Sequence, residues 1–161
     1  MLTLRGLKDE DIPLVEGWLH TPHVKRWYEI PAMGITIEDW ISELQQRQTE
    51  FQWLNYLIVE WDKQPIGLCQ YYRCVDSDED FGTLPVEGSY GMDYLIGEVD
   101  FIGKGLGKAL IQLLVEWIFA LPDAQRVTAD IDAENKASEK ALLACGFTLW
   151  DDARSRYVRE R

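Results

Sequence analysis

The stretch Tyr90-Gly-Met-Asp-Tyr-Leu-Ile-Gly-Glu-Val-Asp-Phe-Ile-Gly-Lys-Gly-Leu-Gly107 decides how this chain folds. Its first part, residues 90–96, has the apolar and aromatic composition of a strand. Its last part carries three alternate glycines, and apolar side chains then recur at helical spacing as far as Ala120. The pattern predicts a strand over 90–96, a glycine turn at 103–107 and a helix over 103–120.

The segments around this unit predict further strands and helices. Residues 2–5 form a short strand, and helices follow over about 8–19 and from Thr36, a residue favoured at N-caps. The segments 53–59 and 66–75 predict a hairpin, 76–89 a long acidic loop, 126–131 a strand, 135–144 a helix and 147–159 one or two strands. This order, β-α-α-β-β-β-α-β-α-β, predicts an α/β fold, a mixed sheet of the α+β kind with helices on both faces, in a single domain over residues 1–161.

The charge balance narrows the class of partner. The 161 residues carry 16 Lys and Arg against 28 Asp and Glu, a net charge of −12. Nucleic acids and anionic membranes need basic surface, so we expect neither as a partner. The acidity permits a cationic small molecule, or it serves solubility alone. The sequence leaves monomer and homodimer open.

The cysteines and histidines indicate a reducing compartment and no metal site. The three cysteines lack the spacing of a disulfide framework, and we find neither a signal peptide nor a transmembrane stretch. We therefore expect a cytoplasmic protein. His20 and His23 have the wrong spacing for a zinc pair on one helix face, so we expect no metal.

The glycine turn has the properties of an anion site. Alternate glycines let the backbone approach a phosphate without interference from a Cβ, and the loop amides and the helix N-terminus direct donors at it. The turn is not a Walker loop, which needs Gly-Lys-Ser/Thr, and it does not open an initial βαβ unit. The alternative is a helix start that is flexible and binds nothing.

This turn resembles the motif of the GNAT acetyltransferase superfamily, Arg/Gln-x-x-Gly-x-Gly/Ala, with Ile102 at its first position. The superfamily's second segment, Asn-x-x-Ala-x-x-x-Tyr-x-x-x-Gly-Phe, matches at Asn135 and at Gly146-Phe147. Leu142 replaces the tyrosine that commonly protonates the departing CoA thiolate. The resemblance implies a GNAT-like fold and acetyl-CoA as cosubstrate. The expected cofactor-binding residues are Leu95, Ile96, Ile102, Gly103, Lys104, Gly105, Leu106, Gly107, Lys108 and Asn135.

Within the superfamily the chain is closest in likeness to the aminoglycoside 6′-N-acetyltransferases, through segments such as Trp18-Leu19, Pro65-Ile66-Gly67 and Gly91-Met92-Asp93. In that family, residues at the positions of Gln70, Asp93 and Asp130 face the aminoglycoside. The resemblance implies acetylation of a 6′-amino group by direct transfer. Siderophore acetyltransferases share much of this pattern, so siderophore precursors and polyamines stay open as acceptors. The expected substrate-binding residues are Trp27, Gln70, Asp76, Asp80, Asp93 and Asp130.

The chemistry of amine acetylation agrees with a catalytic role for Asp93, which the resemblance implies. An alkylamine near neutral pH is mostly ammonium, so a base must take its proton before attack. Asp93 lies on the strand that leads to the glycine turn, and a backbone N–H near Leu95 or Ile96 can serve the carbonyl oxygen. Asp93 can also be purely structural, and Tyr157 is a remote candidate for protonating the thiolate. With Leu142 in place of the tyrosine, a binding module with weak turnover is the alternative to an active enzyme.

Overall fold

The computed structural model describes all 161 residues and contains five helices and seven strands. The helices are α1 (Ile12–Leu19), α2 (Pro22–Tyr28), α3 (Ile37–Gln45), α4 (Leu106–Phe119) and α5 (Lys136–Ala144). The strands are β1 (Leu2–Gly6), β2 (Asn55–Trp61), β3 (Gln64–Arg73), β4 (Ser89–Ile96), β5 (Arg126–Asp130), β6 (Thr148–Asp151) and β7 (Arg156–Glu160). No helix of the chain combines the length and the apolar character that crossing a membrane requires.

All seven strands form one sheet in the order β1-β2-β3-β4-β5-β7-β6, in which only β4 and β5 run parallel. Helices cover both faces, as predicted. One face carries a core of 18 buried residues that includes the inner sides of α4 and α5. The other carries a core of 11 buried residues that includes α1, α2 and α3. Successive residues of β4 alternate between the two cores, because side chains of a strand point alternately to opposite faces.

The sheet opens between β4 and β5. The two strands are paired only from Ser89 to Gly91 on β4 and from Arg126 to Thr128 on β5. Beyond Gly91, β4 continues to Ile96 with β3 as its partner, while its other edge has no strand beside it. The result is a wedge-shaped gap between β4 and β5, and the glycine turn and α4 follow directly from the strand that borders it.

Two helix boundaries differ from the prediction. Residues 22–28, for which no helix was predicted, form α2, because Pro22 occupies the first turn of the helix, where its missing N–H costs no hydrogen bond. Helix α4 begins at Leu106, not at residue 103. Gly103 and Gly105 have φ of 74° and 75°, which removes the turn from the helix. The hairpin of β2 and β3 and the start of α3 at Thr36 are confirmed, the latter by a capping box between Thr36 and Asp39.

Candidate functional site

The glycine turn is open to solvent and shaped by its glycines. Gly103, Lys104 and Gly105 are exposed, and a Cβ built on either glycine meets no atom within 4 Å. Their positive φ angles are strained for other residues, so the turn depends on glycine conformation and not on tight packing. Gly105 is the N-cap of α4, and neither Lys104 nor Lys108 forms an ion pair. The turn thus presents unpaired backbone amides, two free ammonium groups and a helix N-terminus to one region of solvent.

The free edge of β4 distinguishes Leu95 from Ile96. The Gly97 N–H donates to the Ile66 carbonyl of β3 at 2.7 Å. The Leu95 carbonyl also faces β3, so close to Gly67 that a side chain there would clash with it. Backbone groups of successive residues point to opposite edges of a strand, so those of Ile96 point into the gap. His23 Nε2 contacts the Ile96 carbonyl there at 3.2 Å. Of the two predicted amides, that of Ile96 faces the gap.

A narrow, mostly apolar pocket lies beside this edge, on the α1–α3 face of the sheet. Its lining is Leu19, Tyr28, Trp40, Leu44, Tyr56, Leu68, Gln70, Asp93 and Leu95. Gln70 and Asp93 are register partners on β3 and β4 and are the two polar groups of neighbouring strands in this lining. Gln70 is 5% exposed and its Nε2 donates to the Tyr56 hydroxyl at 3.0 Å, so it is fixed in place.

Asp93 is a carboxylate with no hydrogen-bond or ion-pair partner. Its side chain keeps partial exposure, yet protein surrounds it closely enough that desolvation raises its pKa to about 8. The charges of Asp130, Glu79 and Glu43 raise the pKa of Asp93 further in the same direction. A carboxyl of this kind exchanges protons near neutral pH, which suits a general base.

Asp130 lies across the gap from Asp93. Gly91 of β4 pairs with Thr128 of β5, so each acid lies two residues beyond the last paired residue of its strand and on the same face of the sheet. Arg156 fixes Asp130 by two hydrogen bonds of 2.8 Å, and Arg156 is itself only 1% exposed. Asp130 is therefore oriented rigidly, with 37% of its side chain still exposed.

Glu79 of the acidic loop joins the same group. Its carboxylate lies 3.9 Å from Arg156, and burial, followed by the charge of Asp130, raises its pKa. Glu43, on α3, approaches from the other side, and burial also raises its pKa. Neither glutamate was predicted, because their proximity to Asp93 arises only when α3 and the acidic loop fold over the sheet. A polar residue on the inner side of α3 was the one available signal for Glu43.

Besides Asp130, three predicted substrate-binding residues lie outside the pocket lining. Asp76 forms an ion pair with Arg73 at 3.0 Å, and Asp80 one with Arg154 at 3.3 Å. Neither is among the charges that act on Asp93. Trp27 does not line the pocket; the Arg26 guanidinium lies 4.5 Å from its ring centre. The neighbouring Tyr28, which was not predicted, lines the pocket instead.

The second predicted segment forms the start and end of α5. Asn135 is the N-cap, and its side chain accepts a hydrogen bond from the Ser138 N–H at 3.3 Å. That contact gives Asn135 a structural role as the helix cap, and its role in cofactor binding stays a prediction. Leu142 is completely buried in the core between α4, α5 and the sheet. No group of three or more His, Cys, Asp or Glu side chains is arranged to hold a metal ion.

The arrangement combines an anion-binding turn, a strand edge with free amides and the pocket lined by Asp93, all bordering one gap. It can hold a phosphate-bearing donor along β4 and a cationic acceptor at Asp93. The model of the acetyltransferase (GNAT) domain family matches residues 8–154.

Curated relatives include the aminoglycoside N(6′)-acetyltransferases type 1 of Klebsiella pneumoniae and of Serratia marcescens. Each is 24% identical over 151 residues, covering 91% of this chain and 73% of the relative. Among solved structures, aminoglycoside acetyltransferase AAC(6′)-Ib in complex with coenzyme A and kanamycin superimposes with a TM-score of 0.85 at 24% identity over 100% of this chain and 95% of that one.

An aminoglycoside N(6′)-acetyltransferase from Legionella pneumophila superimposes with a TM-score of 0.75 at 19% identity, over 99% of this chain and 91% of that one. At these identities the superpositions establish the fold. Because the family match extends over nearly the whole sequence, the chain belongs to the GNAT acetyltransferase family.

Proposed function

We propose that this acetyltransferase moves an acetyl group directly from acetyl-CoA to a primary amine of a cationic small molecule, the 6′-amino group of an aminoglycoside. The observation that carries the proposal is Asp93, an unpartnered carboxylate at the edge of the β4–β5 gap with a pKa raised to about 8. A structural carboxylate is normally paired with a donor, since an unpaired buried charge is costly. The cost is understandable where the partner is an incoming ammonium group.

The donor side fits acetyl-CoA. The turn at Gly103–Gly107 suits the pyrophosphate, and Lys104 and Lys108 supply positive charge beside it. The arm of CoA carries amides, and the free edge of β4 offers backbone groups with which such amides pair as an added strand does. The thioester then lies in the gap near Ile96, whose N–H is placed to stabilise negative charge on the carbonyl oxygen.

The acceptor side fits a molecule with several ammonium groups. Asp130, Glu79 and Glu43 act on Asp93 from different elements, and Arg156 compensates only part of this negative charge. Aminoglycosides carry several amines, and the names of the curated relatives specify their 6′-amino group. A siderophore precursor of the hydroxylysine type carries a carboxylate, which this pocket repels.

The reaction follows from the charges of Asp93 and the amine. An arriving ammonium group stabilises ionised Asp93 by Coulomb attraction and displaces the proton that the carboxyl holds in the empty site. The charges of Asp130, Glu79 and Glu43 keep Asp93 more basic than an ordinary carboxylate, so it can then accept a proton from the ammonium. The neutral amine attacks the thioester carbonyl, and the C–S bond breaks to give the amide and CoA thiolate.

The alternative is a domain that binds acyl-CoA with weak turnover, and Leu142 is the observation that favours it. No hydroxyl can act from position 142, which is buried and apolar. Loss of a general acid slows such a reaction by roughly 10²–10⁴-fold.

An acceptor panel with optical detection of released CoA thiol tests both functions. The panel includes aminoglycosides, polyamines, hydroxylysine-type precursors and peptide N-termini. Neomycin and paromomycin form the matched pair, since they differ by an amino or a hydroxyl group at the 6′ position. We expect CoA release with neomycin and little with paromomycin. Equal release from both excludes 6′ specificity, and acetyl-CoA binding without release for any acceptor favours the binding module.

A further inference from the structure

The departing thiolate needs a proton, and Tyr94 has the one hydroxyl in the chain that is buried without a hydrogen-bond partner. Buried polar groups are nearly always satisfied, so such a hydroxyl calls for a ligand or a catalytic explanation. This inference rests on the proposed acetyl transfer, because the sulfur that Tyr94 meets belongs to the donor.

Tyr94 and Asp93 lie next to each other on β4 and on opposite faces of the sheet. Asp93 lines the pocket on the α1–α3 face, whereas Tyr94 packs against the core on the α4–α5 face. Their strand borders the β4–β5 gap. A thioester held in that gap has Asp93 on one side and Tyr94 on the other. The amine arrives from the first side, and the sulfur departs towards the second.

The backbone of Tyr94 also faces the gap. Its carbonyl accepts a hydrogen bond from the Tyr28 hydroxyl at 2.6 Å and points away from β3, as that of Ile96 does. An arm of CoA that lies along the free edge therefore passes beside Tyr94.

The Tyr94 hydroxyl reaches α5 at the turn that precedes Leu142. Burial raises the pKa of Tyr94, and the Ser138 side chain, which lies beside this hydroxyl, partly opposes that rise without reaching ordinary hydrogen-bond geometry. Ser138 and Leu142 are four residues apart on α5, so they occupy the same face of the helix. The Tyr94 hydroxyl, which extends from β4, thus lies next to the position that the hydroxyl of a tyrosine at position 142 would occupy.

We propose that Tyr94 is the general acid that protonates the CoA thiolate. As the C–S bond breaks, its electron pair passes to sulfur, and sulfur takes the proton from Tyr94 Oη. The nitrogen of the new amide loses its second proton to solvent, and the Tyr94 phenolate regains one from solvent. One ammonium and one thioester thus give one amide, one thiol and one proton. Burial raises the pKa of Tyr94 to about 12, so the hydroxyl keeps its proton until a thiolate forms.

Tyr94→Phe tests the proposal, because it retains the ring and removes only the oxygen. We expect kcat to fall by roughly 10²–10⁴-fold, with KM for acetyl-CoA and the melting temperature unchanged. Tyr90→Phe is the matched control on the same strand and face, since its hydroxyl donates to Asp123 outside the gap. It should keep its kcat. The acceptor is whichever amine gives most CoA release with the unmodified chain, so failure of the aminoglycoside assignment does not affect this test.

A second donor separates protonation from packing. Acetyl-seleno-CoA releases a selenolate, which is a weaker base than a thiolate and needs less assistance. We expect the deficit of Tyr94→Phe to shrink markedly with this donor. An unchanged kcat in Tyr94→Phe, or an equal deficit with both donors, overturns the proposal. A kcat loss in Tyr157→Phe in place of Tyr94→Phe assigns the acid to β7 and also overturns it.

Discussion

Asp93→Asn should abolish most activity and at the same time stabilise the fold. The substitution preserves size and shape but removes the charge and the basic oxygen. If Asp93 takes the ammonium proton, kcat falls by about 10²-fold or more. Activity should recover partly at high pH, where free amine becomes abundant.

The gain in stability follows from the raised pKa of Asp93, about 8 in the folded chain against an ordinary value of 3.8. Between these values the unfolded chain is ionised and the folded chain keeps its proton, so stability falls as pH rises from about 4 to 8. One pKa unit corresponds to about 1.36 kcal/mol. Because pH 7 lies about 3 pKa units above the ordinary value of Asp, the raised pKa of Asp93 costs at most about 4 kcal/mol of stability at this pH. Partial exposure of Asp93 reduces this cost to roughly 1–3 kcal/mol.

Asparagine removes this penalty, so the melting temperature should rise by roughly 2–10 °C at pH 7 for a chain of this size. Melting curves between pH 4 and 9, beside pH–rate profiles, measure both effects. The rise should vanish near pH 4, where the carboxyl is protonated in both states. Glu116→Gln is the matched control, since it removes one exposed negative charge from the outer side of α4. Its melting temperature should shift little and independently of pH.

An Asp93→Asn protein that is less stable than the unmodified chain, with kcat per folded molecule intact, refutes this reasoning. Asp93 would then be a structural carboxylate whose lost contacts outweigh any relief of charge. A stabilised variant with full kcat confirms the burial but removes Asp93 from the mechanism, and the base would be Asp130 or a chain of water molecules.

Three other features give measurable expectations. Acetyl-CoA should raise the melting temperature by mass action. Gly105→Glu should remove that shift, because a side chain at φ 75° is strained and its carboxylate repels phosphate. Calorimetry measures the shift, and a folded variant that keeps the full shift contradicts the assignment of the turn to the cofactor. KM for a cationic acceptor should rise with ionic strength, because salt screens the acids around Asp93. Initial rates over a salt series measure this rise, and a neutral amine is the control. Arg156→Gln should lower the free energy of unfolding by about 1–3 kcal/mol in a denaturant titration, since it removes the cation that pairs with Asp130. The same substitution should raise the pH midpoint of kcat/KM. An unchanged midpoint would show that Asp130 does not act on Asp93.

The glycine turn and the strand before it were predictable because their signals are local. Alternate glycines, the apolar run of β4 and the periodicity of α4 are properties of consecutive residues. The sheet, its mixed character and the hairpin of β2 and β3 follow from the same kind of pattern. Helix α2 was missed because Thr21-Pro22 has the composition of a helix end, whereas proline is equally suited to the first turn of a new helix.

The group of acids around Asp93 was predictable only in part, because tertiary contacts bring its members together. Asp93 and Asp130 came from the resemblance. Nothing local separates Glu79 from Asp80 or Asp76. The structure separates them through their arginine partners, because Arg154 pairs with Asp80 and Arg73 with Asp76, whereas Glu79 shares Arg156 with Asp130.

The acidity of this chain therefore has two separable consequences. Most of its negative charges are exposed and serve solubility, but the few around Asp93 are placed where they raise one pKa towards that of an alkylamine. Such a carboxyl resists ionisation in the empty pocket and ionises when an ammonium group arrives, so cation binding and activation of the base are one event. A neutral amine gains neither the attraction nor the ionised base. In the proposed mechanism the acids that select a cationic acceptor also strengthen Asp93 as its base, and Tyr94 on the opposite face of β4 protonates the sulfur.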